Sequence, residues 1–206
     1  MSLIGTRYWP VTLEHGAVRL RPLRRADEPE WNAVRARNLE WLRPWDSTRP
    51  PESDEGSRTF GQMVADFTRQ AREGTMLPWV IGYRPEPGAS EVLAGQMTIS
   101  GIARGSARWA MAGYWVDQQW AGRGLAPTAL ALAADHLFFG LRLHRLEVAI
   151  RPENVKSLRV VEKLGLRYEG ERARYLHVDG DWRDHRMFAV HADEVGPEGL
   201  LGRLGR

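Results

Sequence analysis

Gln119-Trp120-Ala121-Gly122-Arg123-Gly124-Leu125-Ala126 lies between a strand-like run, residues 107–116, and the most regular apolar helix of the chain, residues 125–139. Glycines two residues apart let the backbone turn so that consecutive N–H groups point into one concavity, and the following helix adds the positive end of its dipole. Such a loop suits a pyrophosphate; the same string also suits an ordinary glycine-containing strand-to-helix turn. Two other phosphate loops are excluded. No Gly-Lys-Ser/Thr ending is present, and Pro127 stands where a dinucleotide fingerprint needs its last glycine. In a first helical turn Pro127 costs nothing, because its missing N–H would have had no partner there.

Working outward, alternation predicts a strand over 18–23, and apolar spacing predicts a helix over 27–41 through Trp31, Val34, Asn38, Leu39 and Leu42, stopped at Pro44. Pro50, Pro51, Ser53 and Asp54 make a break. A second amphipathic helix runs through Phe60, Met63, Val64, Phe67 and Ala71 to Gly74. Strand-like runs at 77–83, 92–102 and 107–116 follow in meander order. Beyond the loop helix, 144–151 reads as a strand with Leu146, Val148 and Ile150 on one face and Glu147, Ala149 and Arg151 on the other. Asn154 caps a helix that ends at Gly165. Two last strands, 167–178 and 182–190, flank Asp179-Gly180, a type I′ hairpin signal. The order is that of an α+β fold, not of a doubly wound sheet. It reads as one domain over 1–196, followed by a Gly- and Arg-rich tail, 197–206, that frays.

Composition narrows the chemistry. The 206 residues include no cysteine, which excludes disulfides, thiolate metal sites and a cysteine nucleophile. Of the 29 basic residues only Lys156 and Lys163 are lysines, so basicity is guanidinium chemistry, suited to phosphate and carboxylate. A net charge of +3 with arginines and acids interleaved argues against direct nucleic-acid binding. No apolar run approaches the roughly 20 residues of a membrane span, and the first ten residues lack signal-peptide order, so a cytoplasmic protein is expected. The histidines sit singly, and no metal is expected.

Gln119-x-x-Gly122-x-Gly124 at this place in the element order resembles the acetyl-CoA motif of the GNAT superfamily of N-acetyltransferases. The likeness runs over residues 17–192. It takes in Gly113-Tyr114-Trp115, Arg151-Pro152-Glu153-Asn154-x-x-Ser157 and Leu164-Gly165-Leu166-Arg167-Tyr168-Glu169-Gly170. Asn38-Leu39-Glu40-Trp41-Leu42-Arg43-Pro44-Trp45 and Asp179-Gly180-Asp181-Trp182-Arg183-Asp184-His185 are similar to the RimJ/RimL-like branch, the ribosomal-protein N-terminal (alanine) acetyltransferases. The resemblance implies a mixed, mostly antiparallel central sheet of about seven strands with splayed central strands, flanked by about four helices.

It also implies roles. Tyr114, Trp115 and Val116 would offer backbone to the pantetheine arm of acetyl-CoA. Gln119, Gly122, Arg123, Gly124, Leu125 and Ala126 would hold the pyrophosphate, with Asn154 fixing adjacent backbone. Ser157 would protonate the departing thiolate. Glu147 is the candidate general base, with Glu40 and Asp117 as rivals; a salt bridge to Arg145 or Arg151 explains Glu147 equally well. Trp41, Trp45 and Tyr175 would line the acceptor site, Asp184 beside them. A protein N-terminus is the easier acceptor, since an α-amine has a pKa of about 7.7–8.0 against about 10.4 for lysine. Without a thiol, direct transfer in a ternary complex is expected. The alternatives are acetylation of a small amine, such as an aminoglycoside or polyamine, and an acyl-CoA-binding module without catalysis. A homodimer is the oligomer considered.

Overall fold

The computed structural model describes residues 9–52, 56 and 58–205, so Ser53 and Asp54 of the expected break lie outside it. Among the described residues the strands are β1 (Leu13–His15), β2 (Val18–Pro22), β3 (Leu77–Tyr83), β4 (Val92–Ser100), β5 (Trp109–Val116), β6 (Arg145–Ile150), β7 (Arg167–Val178) and β8 (Asp181–His191). They form one sheet in the order β1-β2-β3-β4-β5-β6-β8-β7. The helices are α1 (Glu28–Arg37), α2 (Leu39–Leu42), α3 (Phe60–Glu73), α4 (Leu125–Asp135) and α5 (Val155–Lys163). Every pairing is antiparallel except β5 with β6, which the α4 crossover joins.

Eight strands replace the expected seven because β1 turns back on β2 at Gly16, which takes a φ of +57°. A fifth helix appears because the expected 27–41 helix breaks at Asn38, whose buried side-chain amide donates both to the carbonyl of Val34 in α1 and to the distant Asp117 carboxylate. Leu39, expected in the core, is left 59% exposed by that break. The last helix turn before the β6 connection, His136–Gly140, is a π turn rather than a continuation of α4.

Helices cover both sheet faces, which is why all seven residues of β3 are buried. On one face α4 and α5 pack over Ala110, Ala112, Leu146, Val148 and Ile150. Eight of the eleven residues of α4 are buried, as expected of a helix apolar on nearly every side. On the other face Val34 of α1 and Phe60 and Val64 of α3 pack against Val80 and Leu93. The expected fraying tail is docked instead. Leu200 is fully buried, its N–H donates to Asp135 at 2.6 Å, and the Arg203 guanidinium donates to the carbonyl of Leu164 at 2.7 Å. A buried leucine and a guanidinium that caps a helix end hold this segment down through residue 205, which the Gly-rich composition alone did not reveal.

The β5–β6 ladder is short. It runs from Trp109 opposite Arg145 to Ala112 opposite Val148 and stops there. β5 continues against β4 to Val116, and β6 continues against β8 to Ile150, so the two strands part into a fork. A bulge lies on the far side of β5: β4 carries Ala94 as an extra residue where its register against β3 shifts, and a bulge bends its strand. A Cβ on the neighbouring Gly95 would stand 2.2 Å from the carbonyl oxygen of Trp115, so only a bare α-carbon lets β5 lean this far toward β4. Gly95→Val is therefore expected to cost roughly 1–3 kcal/mol of stability and to weaken CoA binding by pushing β5 back toward β6. Chemical denaturation and calorimetric titration with CoA check both.

Candidate active site

The fork leaves backbone unpaired along β5. Asp117 N–H donates to the carbonyl of Ala94, which with the register makes Val116 and Gly95 a non-hydrogen-bonded pair. Alternation then turns the N–H and C=O of Trp115 toward Gln96 in the ladder, and those of Tyr114 and Val116 into the fork. The backbone groups of Tyr114 and Val116 thus face the fork, whereas those of Trp115 do not. Its indole lies on the opposite face, edge-on to Trp31 with ring centroids 6.3 Å apart. The Val116 carbonyl already accepts from the Trp41 indole at 3.2 Å, which leaves the Tyr114 groups and the Val116 N–H.

At the mouth of the fork the glycine loop has the shape its sequence predicts. Gly122 and Gly124 both take a φ of +80°, and Gly124 is the residue from which α4 starts. The N–H groups of Gly122, Arg123, Gly124, Leu125 and Ala126 find no acceptor among the described residues. Five consecutive unpaired donors at a helix N-terminus make an anion cradle. The Arg123 guanidinium lies 5.2 Å from the Trp120 ring centroid, with no carboxylate partner among the described residues. Gln119 directs its N–H inward, to Asp117 at 3.2 Å.

Asp117 anchors this loop. Its carboxylate is 1% exposed and accepts from Asn38 at 2.7 Å, from Gln119 N–H, and from two nitrogens of Arg37 at 3.1 and 2.5 Å. Burial pushes its pKa up, but the Arg37 and Asn38 hydrogen bonds win and hold it below the usual carboxylate range. Both oxygens are filled, so Asp117 is a structural anion and not a free base. Asn38 completes the knot by accepting the Gln118 N–H at 2.8 Å. Glu40, the other rival base, is exposed and pairs loosely with Arg43 at 3.6 Å.

Residues 38–48 cross the open end of the fork like a strap. From it the Trp41 indole reaches Val116 on one side, and Lys156 of α5 stacks 3.6 Å above the same ring. Trp45 lies against Arg151, whose guanidinium donates to the carbonyl of Pro44 at 2.7 Å and to Glu153 at 3.2 Å. Ser47 bridges to Val178, and the Thr48 hydroxyl meets His177 at 2.8 Å. Trp41 and Trp45 therefore both lie on the strap that roofs the fork. Tyr175 comes from a bulge: β7 holds three residues, 173–175, opposite Asp184 alone, and that carboxylate accepts the Arg174 N–H at 2.7 Å. Asp184 is thus the clamp of the bulge that presents Tyr175.

The two expected catalytic side chains lie on opposite faces. Ser157 sits in the first turn of α5, its N–H held by Asn154 at 3.1 Å, on the face toward which Tyr114 points. Glu147 shares the other face with Met111, one register step below the fork, and is paired with Arg145 at 2.8 Å. Arg145 also grips Glu169, whose pKa it holds down to about 2. The second oxygen of Glu147 is buried, 3.8 Å from Arg172, and accepts no hydrogen bond.

Sequence reasoning did not single out His185 as a site residue. It is buried on the Glu147 face, its Nδ1 donating to the carbonyl of Arg183 at 2.9 Å and its ring edge-on to Tyr175. Burial first, and the Arg151 charge after it, lower its pKa below the ordinary histidine value, so a neutral imidazole faces the site at pH 7. Asp184 and Glu153 act the other way. The signal available in the sequence was the alternation of β8, which puts His185 on one face with Met187 and Ala189, both buried.

A sheet that forks beside a cradle of free N–H groups is the architecture of an acyl-CoA-dependent transferase. The family model "Acetyltransferase (GNAT) domain" matches residues 17–167, and the chain belongs to the GNAT acetyltransferase family. It is similar to Mycobacterium smegmatis RimJ in complex with CoA-disulfide, at 36% identity with a TM-score of 0.85 over 96% of this chain and 94% of that one. The [Ribosomal protein uS5]-alanine N-acetyltransferase of Escherichia coli is 29% identical over 164 residues, 79% of this chain and 81% of that protein. A probable N-acetyltransferase of Bacillus subtilis, YjcK, is 36% identical over 98 residues, a match that spans about half of each protein, 48% of this chain and 54% of that one.

The neutral state of His185 has a measurable consequence. Above pH about 6.5 folded and unfolded chains both carry it neutral. As pH falls, the unfolded chain takes up a proton first, so the stability present above that pH is lost on the way down to the lowered folded value. Thermal melts should show His185→Gln losing less stability than wild type between pH 7 and pH 5.

Proposed function

We propose that this protein moves the acetyl group of acetyl-CoA directly to the N-terminal α-amine of a protein. The observation that carries the reading is the fork itself. Tyr114 N–H and C=O and the Val116 N–H form an open sheet edge of the kind an extended amide-bearing arm completes as a strand. The edge leads straight to the five free N–H groups at the start of α4, where a pyrophosphate is stabilised by donors and helix dipole together. Arg123, free of any carboxylate, can swing onto a phosphate and make a charge-assisted bond.

Charge around the acceptor side favours a peptide over a polycation. Most carboxylates near the fork's roof are already taken: Asp46 by Arg35 at 2.5 Å, Glu153 by Arg151, and Asp184 by the Arg174 backbone, with Glu40 loosely paired to Arg43. A polyamine or aminoglycoside needs several unpaired carboxylates, and these walls offer ones that are ion-paired or hydrogen-bonded instead. The names of the RimJ and uS5-alanine relatives support the same acceptor class.

In this reading Ser157 donates its proton to the sulfur as the thioester C–S bond breaks, and Glu147 takes the acceptor's proton through water with the oxygen that accepts no hydrogen bond among the described residues. A panel of peptides and small amines with acetyl-CoA, read by release of free thiol, tests the function. Peptide N-termini should turn over and polyamines should not; binding of acetyl-CoA without transfer to any amine would instead make the chain a binding module. Ser157→Ala is expected to lower kcat by about 10²-fold with little change in acetyl-CoA affinity. Glu147→Gln should remove the acid limb of the pH–rate profile, and if His185→Gln removes it instead, the base is His185.

A further inference from the structure

The hydroxyl of Tyr114 is assigned no part by anything above, and its setting is unusual. β5 alternation sends this side chain to the same face as Ala110 and Ala112, against the layer of α4 and α5, and its ring packs on the core there. Its oxygen is shut off from solvent and has no hydrogen-bond partner among the described residues. The Ser157 hydroxyl is close enough to bear on its ionisation, yet the pair does not meet hydrogen-bond geometry. Two hydroxyls are therefore opposed across the fork, Tyr114 from the strand on one side and Ser157 from the helix that follows the strand on the other.

An unpaired buried hydroxyl destabilises a fold, and phenylalanine has the same shape without that cost. What the pair lacks is a third atom between its members and the place where the C–S bond breaks. We propose that Tyr114 is a positioning residue for acetyl transfer, its O–H donating to Ser157 Oγ so that the Ser157 proton is aimed at the leaving sulfur.

The inference rests on the acetyl-transfer reading above. Its balance is simple: as the amine nitrogen bonds to the carbonyl carbon, the C–S electron pair leaves on sulfur, and Ser157 supplies the proton that makes the thiol. Tyr114 keeps its own proton and stabilises the charge that develops on Oγ, since hydrogen bonds in a chain polarise one another. Solvent restores the Ser157 proton once product leaves, and the acceptor's proton exits through the base. Burial raises the Tyr114 phenol to about 12 while the nearby Ser157 hydroxyl pulls it down only in part, so it stays a donor across the working pH range.

Tyr114→Phe separates this from a packing role, because the two effects have opposite signs. The variant is expected to melt at the same temperature as wild type or higher, to bind acetyl-CoA within twofold, and to lose about tenfold in kcat, a fraction of what the proton donor itself contributes. In a Ser157→Ala background the same substitution should change kcat by less than twofold, because the group it positions is gone. An unchanged kcat, a kcat loss matched by lost acetyl-CoA affinity, or an equal tenfold loss in the Ser157→Ala background each overturns the proposal while leaving acetyl transfer intact. Absence of thiol release by the wild-type protein with every peptide and amine overturns the acetyl-transfer reading and this one with it.

Discussion

The parallel ladder between β5 and β6 ends at Ala112 and Val148, and the site is built on that ending. A ladder that ran on would pair the Tyr114 and Val116 backbone internally and leave nothing for a ligand to complete. The break is held from outside the fork: the extra residue Ala94 and the bare α-carbon of Gly95 draw β5 toward β4. The side chains on the two faces of the opening differ accordingly, a hydroxyl pair on the α5 side and a carboxylate with a neutral imidazole on the other.

A second constraint joins the loop to the roof. Asn38 and Asp117 lie 79 residues apart, both almost fully buried, and between them fix the break after α1, the turn at Gln118 and Gln119, and so the direction in which the glycine loop leaves β5. Buried polar groups with every partner in place specify one arrangement, because any shift strands a donor or acceptor away from water. The strap of residues 38–48 is aimed by this knot at one end and by the β7–β8 hairpin at the other. The glycine loop and the strap are thereby set by the same buried carboxylate.

Legibility in the sequence followed the range of the interactions. Periodicity placed β3, β6, α3 and α5 almost to the residue, because burial of one stripe or face is a local pattern. The αL glycines at 122 and 124 were readable for the same reason. It missed β1, which is three residues long, and the break at Asn38, where the apolar period continues but the side-chain amide ties the Val34 carbonyl to a distant carboxylate. The tail was misread because glycine and arginine content says nothing about the buried place that Leu200 fills or the Leu164 carbonyl that Arg203 caps.

What the sequence by itself determined is the order and kind of elements, the glycine loop at the start of α4, the absence of any thiol, and the residues on each face of β6. All of these depend on neighbours within a few positions or on composition alone. Only the tertiary structure decided which of the candidate groups are free to act: Asp117 is saturated by Arg37, Asn38 and Gln119, the Trp115 backbone is turned away by the antiparallel alternation, and the hydroxyl of Tyr114 is left opposite Ser157 without a bond. Whether a polar atom is paired depends on what the fold brings against it from far along the chain, and no local pattern carries that information.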